Sequence, residues 1–280
     1  MSYDLTLVFR PALEKADFVD FLSIRKNYVI GDAQCVYKNE NTGVYFGINL
    51  EYSSGRDVLA QVVCHINYCR PSFFGPEAEG EIAAIVARFS PTIRNPQGND
   101  TQGNPYSADE FLTGWQAGNI LAIGVMESAS PAECAMRTIP HDVLVRSWEW
   151  NVTLVARREQ LERDQFIPRM IYLLIEGQAR TAIIWGDGVA AVLPQVDYVL
   201  VAQVHEGERR FGCVSWDYFS TVMQQAGHAA HEGFDLYEPQ GPGLVSALIE
   251  TAMPFNRETM GILQADVVLD EADVRAALAA

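Results

Sequence analysis

Lysine is nearly absent from this chain. Only Lys15, Lys26 and Lys38 occur, and every later cation is an arginine. Positive charge is scarce overall, with 20 basic residues against 36 acids and a formal net charge of -16. A field of that sign repels phosphates, so direct nucleic-acid binding is not expected. Cysteine is sparse too: Cys35, Cys64, Cys69, Cys134 and Cys213 are odd in number and irregular in spacing, which implies no disulfide framework. Long apolar runs are missing. The longest, Val196 to Val204 and Ile120 to Met126, fall well short of the ~20 residues that a membrane helix needs. Met1-Ser2-Tyr3-Asp4 lacks the basic and apolar regions of a signal peptide, so the expected address is the cytoplasm, with no membrane partner.

Recognisable chemistry is also lacking. Gly241-Pro242-Gly243 has no Lys-Ser/Thr ending, and its proline removes a donor that a phosphate cradle needs. No Gly-x-Ser-x-Gly elbow occurs. Cys64 and Cys69 flank His65, but no second Cys or His pair completes a tetrahedral set, so buried core is the expectation. His228-Ala229-Ala230-His231-Glu232 puts two imidazoles and a carboxylate on one helical face, yet lacks the His-Glu-x-x-His spacing of a zinc protease, and Gly227 and Gly233 favour a turn. Asp187, Asp197 and Asp217 each have an explanation as turn or cap residues. No catalytic residue, cofactor or metal ligand is therefore assigned.

What is present is hydrophobic patterning. Nearly half the residues are hydrophobic, enough for a substantial core in one large or two small domains. The strand-like Leu5 to Arg10, the helical Leu13 to Val19 and a strand near Tyr37 have counterparts about 147 positions later: Val152 to Arg157, Leu161 to Ile167 and a run ending at Trp185. Three matches at nearly one offset suggest duplication. Hairpins are expected around Asn39 to Gly43 and around Gly186-Asp187-Gly188. Helices are expected at 76–89, with Pro76 at the first helical position, and at 217–225; further strands are expected at 59–68, 196–204 and 211–216. The fold class is α/β (α+β): two similar β-α-β-β-β-α halves, with mixed, mainly antiparallel sheets and helices packed on them. The first half spans 1–106, ending in the Pro/Asn/Gly-rich loop 90–106. Residues 107–145 form a connecting helical segment opened by the capping box Ser107 to Glu110. The second half, 146–280, ends in an acidic extension whose last helix Asp270 caps. Residues 142–156 read as extended, with Trp148 and Trp150 on one face.

Acidity is shared by both halves but is densest after position 228, where nine acids face Arg257 and Arg275. That density marks Glu232, Asp235, Glu238, Asp266, Asp270, Glu271 and Asp273 as candidates to meet a basic protein partner, with Trp148 or Trp150 as an aromatic anchor. The opening Tyr3-Asp4-Leu5-Thr6-Leu7, with the acidic, motif-poor profile, resembles bacterial immunity proteins of secreted-toxin systems, of the type VI or polymorphic kind. The resemblance implies a non-enzymatic protein that neutralises a basic, nuclease-like toxin by occluding it. The competing expectation is an enzyme or small-molecule-binding protein with a site between the halves, where Gly186 to Gly188, His205, His228 and His231 come first.

Overall fold

Strand β1 (Ser2–Glu14) buries Tyr3, Leu5, Leu7 and Phe9 on one face and leaves Asp4, Thr6 and Val8 half exposed on the other, the period-two signature of a sheet covered on one side. The computed structural model describes residues 1–280 except 56, 96–102, 162, 206, 231, 255–259 and 280, and the side chains of 54, 205, 209 and 254. The described residues divide into one unit of Met1–Cys134 with Leu269–Ala280 and another of Ala135–Val268.

In the first unit β1 is followed by α1 (Lys15–Ser23), β2 (Tyr28–Ile30), β3 (Gln34–Lys38), β4 (Tyr45–Ser54), β5 (Val58–Asn67), α2 (Phe74–Phe89), β6 (Thr92–Arg94), α3 (Ala108–Ala129) and α4 (Pro131–Met136). The sheet runs β2-β3-β4-β5-β1-β6 and is antiparallel throughout. Phe18 of α1 and Phe89 of α2 close on Phe9 with ring centroids 5.8–6.1 Å apart, and Phe111 of α3 meets Tyr3 edge-on at 5.5 Å. The expected hairpin at Asn39 to Gly43 joins β3 and β4, with Gly43 at a φ of 80°. A buried carboxylate pins that turn. Glu77 Oε1 on α2 accepts from Tyr37 Oη (2.9 Å), Asn39 Nδ2 (2.8 Å) and Thr42 Oγ1 (2.9 Å). All four residues are buried, so each polar group depends on the others for its hydrogen bonds.

The second unit contains β7 (Thr138–Ile139), α5 (His141–Val152), α6 (Leu154–Gln160), β8 (Ile171–Ile175), β9 (Gln178–Gly186), β10 (Ala191–Pro194), β11 (Tyr198–His205), β12 (Glu208–Ser215), α7 (Trp216–Gln225), β13 (Gly233–Leu236), α8 (Pro242–Thr251), β14 (Met253–Pro254) and β15 (Met260–Leu263). Its main sheet runs β14-β12-β11-β9-β8-β15, with β9 and β11 parallel and the other pairs antiparallel. The core lies between this sheet and helices α7 and α8: Ile183, Trp185, Val199, Val201, Phe219, Met223, Val245 and Leu248 are all fully buried. The chain then adds β16 (Leu269–Asp270) and α9 (Glu271–Ala279), which return to the first unit.

The α+β class and mainly antiparallel sheets match the expectation, whereas the duplication is not confirmed. Val152 to Arg157, the intended counterpart of β1, is largely helical, and Leu161 to Ile167 contains no helix among its described residues. Gly186-Asp187-Gly188 makes a turn but no hairpin, because β9 pairs with β8 and β11 while β10 pairs with β13. Residues 142–156 are helical rather than extended. The boundaries also move. Helix α3 belongs to the first unit, and the last twelve residues join that unit instead of extending the second. Pro76 falls at the third position of α2, which begins at Phe74.

One hydrogen-bonding device recurs. Asn119 on α3 accepts from Arg70 N (3.1 Å) and donates to Arg70 O (2.9 Å); Asn151 on α5 accepts from Met170 N (2.9 Å) and donates to Met170 O (2.9 Å). Both amides are buried, and each replaces the strand partner that a residue just outside a sheet lacks. Asn151→Ala and Asn119→Ala should each cost about 2–4 kcal/mol, since two buried backbone groups lose their partner. Chemical denaturation checks this, and a loss below about 1 kcal/mol in either variant would contradict the assigned role.

Candidate partner-binding groove

Helices α5 and α6 present two stripes. Leu144, Ser147, Asn151 and Leu154 are buried; Arg146, Glu149, Trp150, Thr153 and Arg157, also three or four residues apart, share a different face. That second face forms one wall of an open groove of about 760 Å³ in the second unit. Met170, Leu193 and Phe234, all buried, make its apolar floor. Its lining also takes in Gly233 and the exposed Glu232 and Asp235, from β13 and the residue before it.

Local contacts hold this lining in place. Trp150 is half buried against the core and donates its indole N–H to Pro168 O at 2.8 Å. The Arg157 guanidinium lies 4.6 Å from the Trp150 ring centroid, and its Nε donates to Thr153 Oγ1 at 2.9 Å. Asp235 Oδ1 accepts from Gln165 Nε2 at 2.6 Å. Strand β13 lies so close to β10 that a Cβ at Gly233 would run into the Leu193 carbonyl oxygen. Arg146, Glu149 and Glu232 point charge at the groove without a side-chain partner among the described residues.

The structure sorts the acids and tryptophans singled out from sequence. It brings Trp150, Glu232 and Asp235 to one groove, where Arg146, Glu149 and Arg157 were not foreseen. Glu238 is exposed but lies outside the groove's lining. Trp148, two residues from Trp150 on a helix, takes a different face, which corrects the expectation that both indoles point one way. Asp270 and Asp273 are corrected too, being 1% and 5% exposed. Asp270 Oδ2 accepts from Ser72 Oγ (2.7 Å) and its Oδ1 caps α9 through Ala272 N (2.8 Å), while Asp273 accepts from Gln116 Nε2. Neither carboxylate is presented to a partner. Glu271 pairs with Arg275 at 2.7 Å, and Asp266 is half buried with contacts of its own.

The weaker chemical candidates find structural explanations. Cys64 and His65 alternate on β5, so the thiol enters the core, where burial pushes its pKa up to about 12, while the imidazole joins the opposite face. There His65 Nδ1 meets Asp4 Oδ1 and Nε2 meets Asn49 Nδ2, each at 2.8 Å. His228 Nε2 is 2.8 Å from Gln240 Oε1; His231 and the side chain of His205 lie outside the described residues. Asp187 caps Val204 N at 2.8 Å, and Asp197 Oδ2 accepts from Thr181 N (2.7 Å) and Oγ1 (2.8 Å). Among the described residues no group of three or more His, Cys, Asp or Glu converges to hold a metal. A second cavity, of about 520 Å³ beside Tyr3 and Phe111 in the first unit, has its tyrosine hydroxyls engaged by Asn95 (2.7 Å) and Glu79 (3.1 Å).

No protein family, curated protein or solved structure matches this chain.

Two outcomes follow from the local geometry. Gly233→Ala should destabilise the second unit by about 2–3 kcal/mol through displacement of β13, whereas Gly243→Ala, in open space on α8, should be neutral or stabilising by up to about 1 kcal/mol; thermal melts compare them. A thiol reagent at about pH 8 should modify half-exposed Cys69 well before Cys64, whose raised pKa leaves almost no thiolate there; mass mapping of the native chain after brief exposure reads the order.

Proposed function

We propose that this protein is a non-enzymatic binding protein that neutralises a basic protein partner by occlusion, in the manner of an immunity protein against a secreted toxin. The observation that carries this reading is the groove on the second unit, whose lining joins a half-buried tryptophan and buried apolar residues to the exposed carboxylates of Glu149, Glu232 and Asp235, none of them ion-paired among the described residues. Trp150 and Phe234 supply the buried apolar contact that dominates interface energy, and Glu149, Glu232 and Asp235 supply the charged rim that steers an oppositely charged surface. The net charge of -16 acts over a longer range in the same direction. Occlusion requires no chemistry from the binder. A carboxylate that pairs with an arginine or lysine of the partner, and an indole that fills a depression beside it, together keep the partner's own substrate out.

The test takes as candidate partner a basic protein encoded beside this chain's own gene. Co-expression with this chain should restore growth that the basic protein alone arrests, and the purified pair should associate with a rate that falls steeply as salt rises from about 50 to about 500 mM. Glu232→Arg with Asp235→Arg should slow association about tenfold at low salt, while Trp150→Ala should chiefly speed dissociation. An association rate indifferent to both salt and charge reversal would rule out electrostatic neutralisation at this surface.

A further inference from the structure

The groove is not uniformly acidic. Residues 137–180 carry seven arginines against six acids, a local balance of plus one inside a chain of -16. Two of those arginines, Arg146 on α5 and Arg157 on α6, line the groove, eleven residues apart. Arg157 is oriented in advance. Its guanidinium is stacked on Trp150 and its Nε is spent on Thr153, which leaves its terminal nitrogens without a partner among the described residues. Arg146 has no carboxylate partner at all among the described residues, although Glu149 lies one turn away on the same helix. The lining residues at β13 carry the opposite sign: Glu232 is exposed with no side-chain partner among the described residues, and Asp235 is held in place by Gln165 with no cation paired to it among them. Cations and anions on one protein normally pair where they can reach each other. Here the lining carries both signs from two elements, Arg146, Glu149 and Arg157 from α5 and α6 and Glu232 and Asp235 from β13 and the residue before it, so a ligand carrying both signs complements it.

Resting on the groove being the binding surface, we propose that its occupant is a bipolar peptide segment of the partner, with an acidic side chain on Arg146 and Arg157, a basic side chain on Glu232 and Asp235, and an apolar side chain over the floor beside Trp150. A purely basic segment places like charge against Arg146 and Arg157 and is disfavoured, so the arginine wall selects among the many basic surfaces that the net charge attracts. A groove of about 760 Å³ also far exceeds a single amino acid, and its charged lining is presented by separate elements, α5–α6 and β13. An extended segment, whose successive side chains point to opposite sides, can present both signs to the lining at once.

Calorimetric titration of the full chain with capped nonapeptides tests this. All share a central leucine; one set carries glutamate on one side and lysine on the other in both orders, a second only lysine, a third only glutamate, and free lysine and free glutamate serve as small-ligand probes. One order of the bipolar peptide should bind at least about tenfold more tightly than the all-lysine and all-glutamate peptides, and the free amino acids should be weaker still. Arg146→Glu with Arg157→Glu should erase that preference and strengthen the all-lysine peptide. Arg157→Lys keeps the charge, loses the planar stack, and should weaken the bipolar peptide severalfold, which separates recognition from misfolding. All-lysine binding equal to bipolar binding overturns this inference while leaving a basic-partner groove intact. Binding of neither overturns the groove itself, and equal binding by free amino acids overturns the peptide as occupant.

Discussion

Every buried backbone N–H and C=O needs a partner, and at the ends of a sheet there is no neighbouring strand to supply one. Two asparagines meet that need in this protein. Asn119 takes both backbone groups of Arg70 just after β5, and Asn151 takes both groups of Met170 just before β8. Each thereby fixes where one helix sits against one strand, in rotation as well as in distance, because an amide that donates and accepts in a plane tolerates little rotation. The consequence is largest for α5. With Asn151 turned inward to Met170, and Ser147 bonded to the Tyr172 hydroxyl, the residues on the adjacent stripe face the groove. The position of Trp150, and of the arginines beside it, thus depends on an uncharged hydrogen-bonded pair on the other side of the same helix.

Glu77 does a related job with a charge. It collects three donors from the β3–β4 hairpin and ties the turn to α2, so the first unit holds a carboxylate in its interior because the surrounding hydroxyls and amide leave it well solvated by protein. Asp270, Asp273 and Asp197 are likewise consumed by capping and cross-linking. Acidic residues in this chain therefore divide into those that build the structure and those left outside. Net charge does not distinguish them.

Much of the first unit was legible in advance. The alternation in β1, the Asn/Gly turn before β4 and the apolar run of β5 are local signals, and β2 to β5 pair in sequence order, while β1 joins β5 and β6 from far along the chain. The second unit defeated the same reading for identifiable reasons. The inward stripe of α5 contains Ser147 and Asn151, so its helical period shows little hydrophobicity, while Trp148-Glu149-Trp150 imitates the alternation of a strand. Strand β10 pairs with β13, some forty residues later, although a Gly-Asp-Gly turn precedes it. For the groove, Glu232 and Asp235 are visible in the sequence as charge and Trp150 as an aromatic; Arg146 and Arg157 are inconspicuous in a chain whose charge is dominated by the opposite sign. The spacing of 146, 149, 150, 153 and 157 on one helical face was the signal that could have found them.

Composition and short-range pattern thus determined the α+β class, the strands of the first sheet, the strong negative charge and the want of a recognisable catalytic motif, since each is a property of residues near one another in the chain. Tertiary structure alone decided which carboxylates are buried and which meet solvent, that the C-terminal helix returns to the first unit, and that two arginines and two distant acids line one groove. Those outcomes depend on pairings such as Ser72 with Asp270 and Gln165 with Asp235, between residues far apart in sequence. Burial and desolvation are set by everything that surrounds a group, and no window along the chain contains that information.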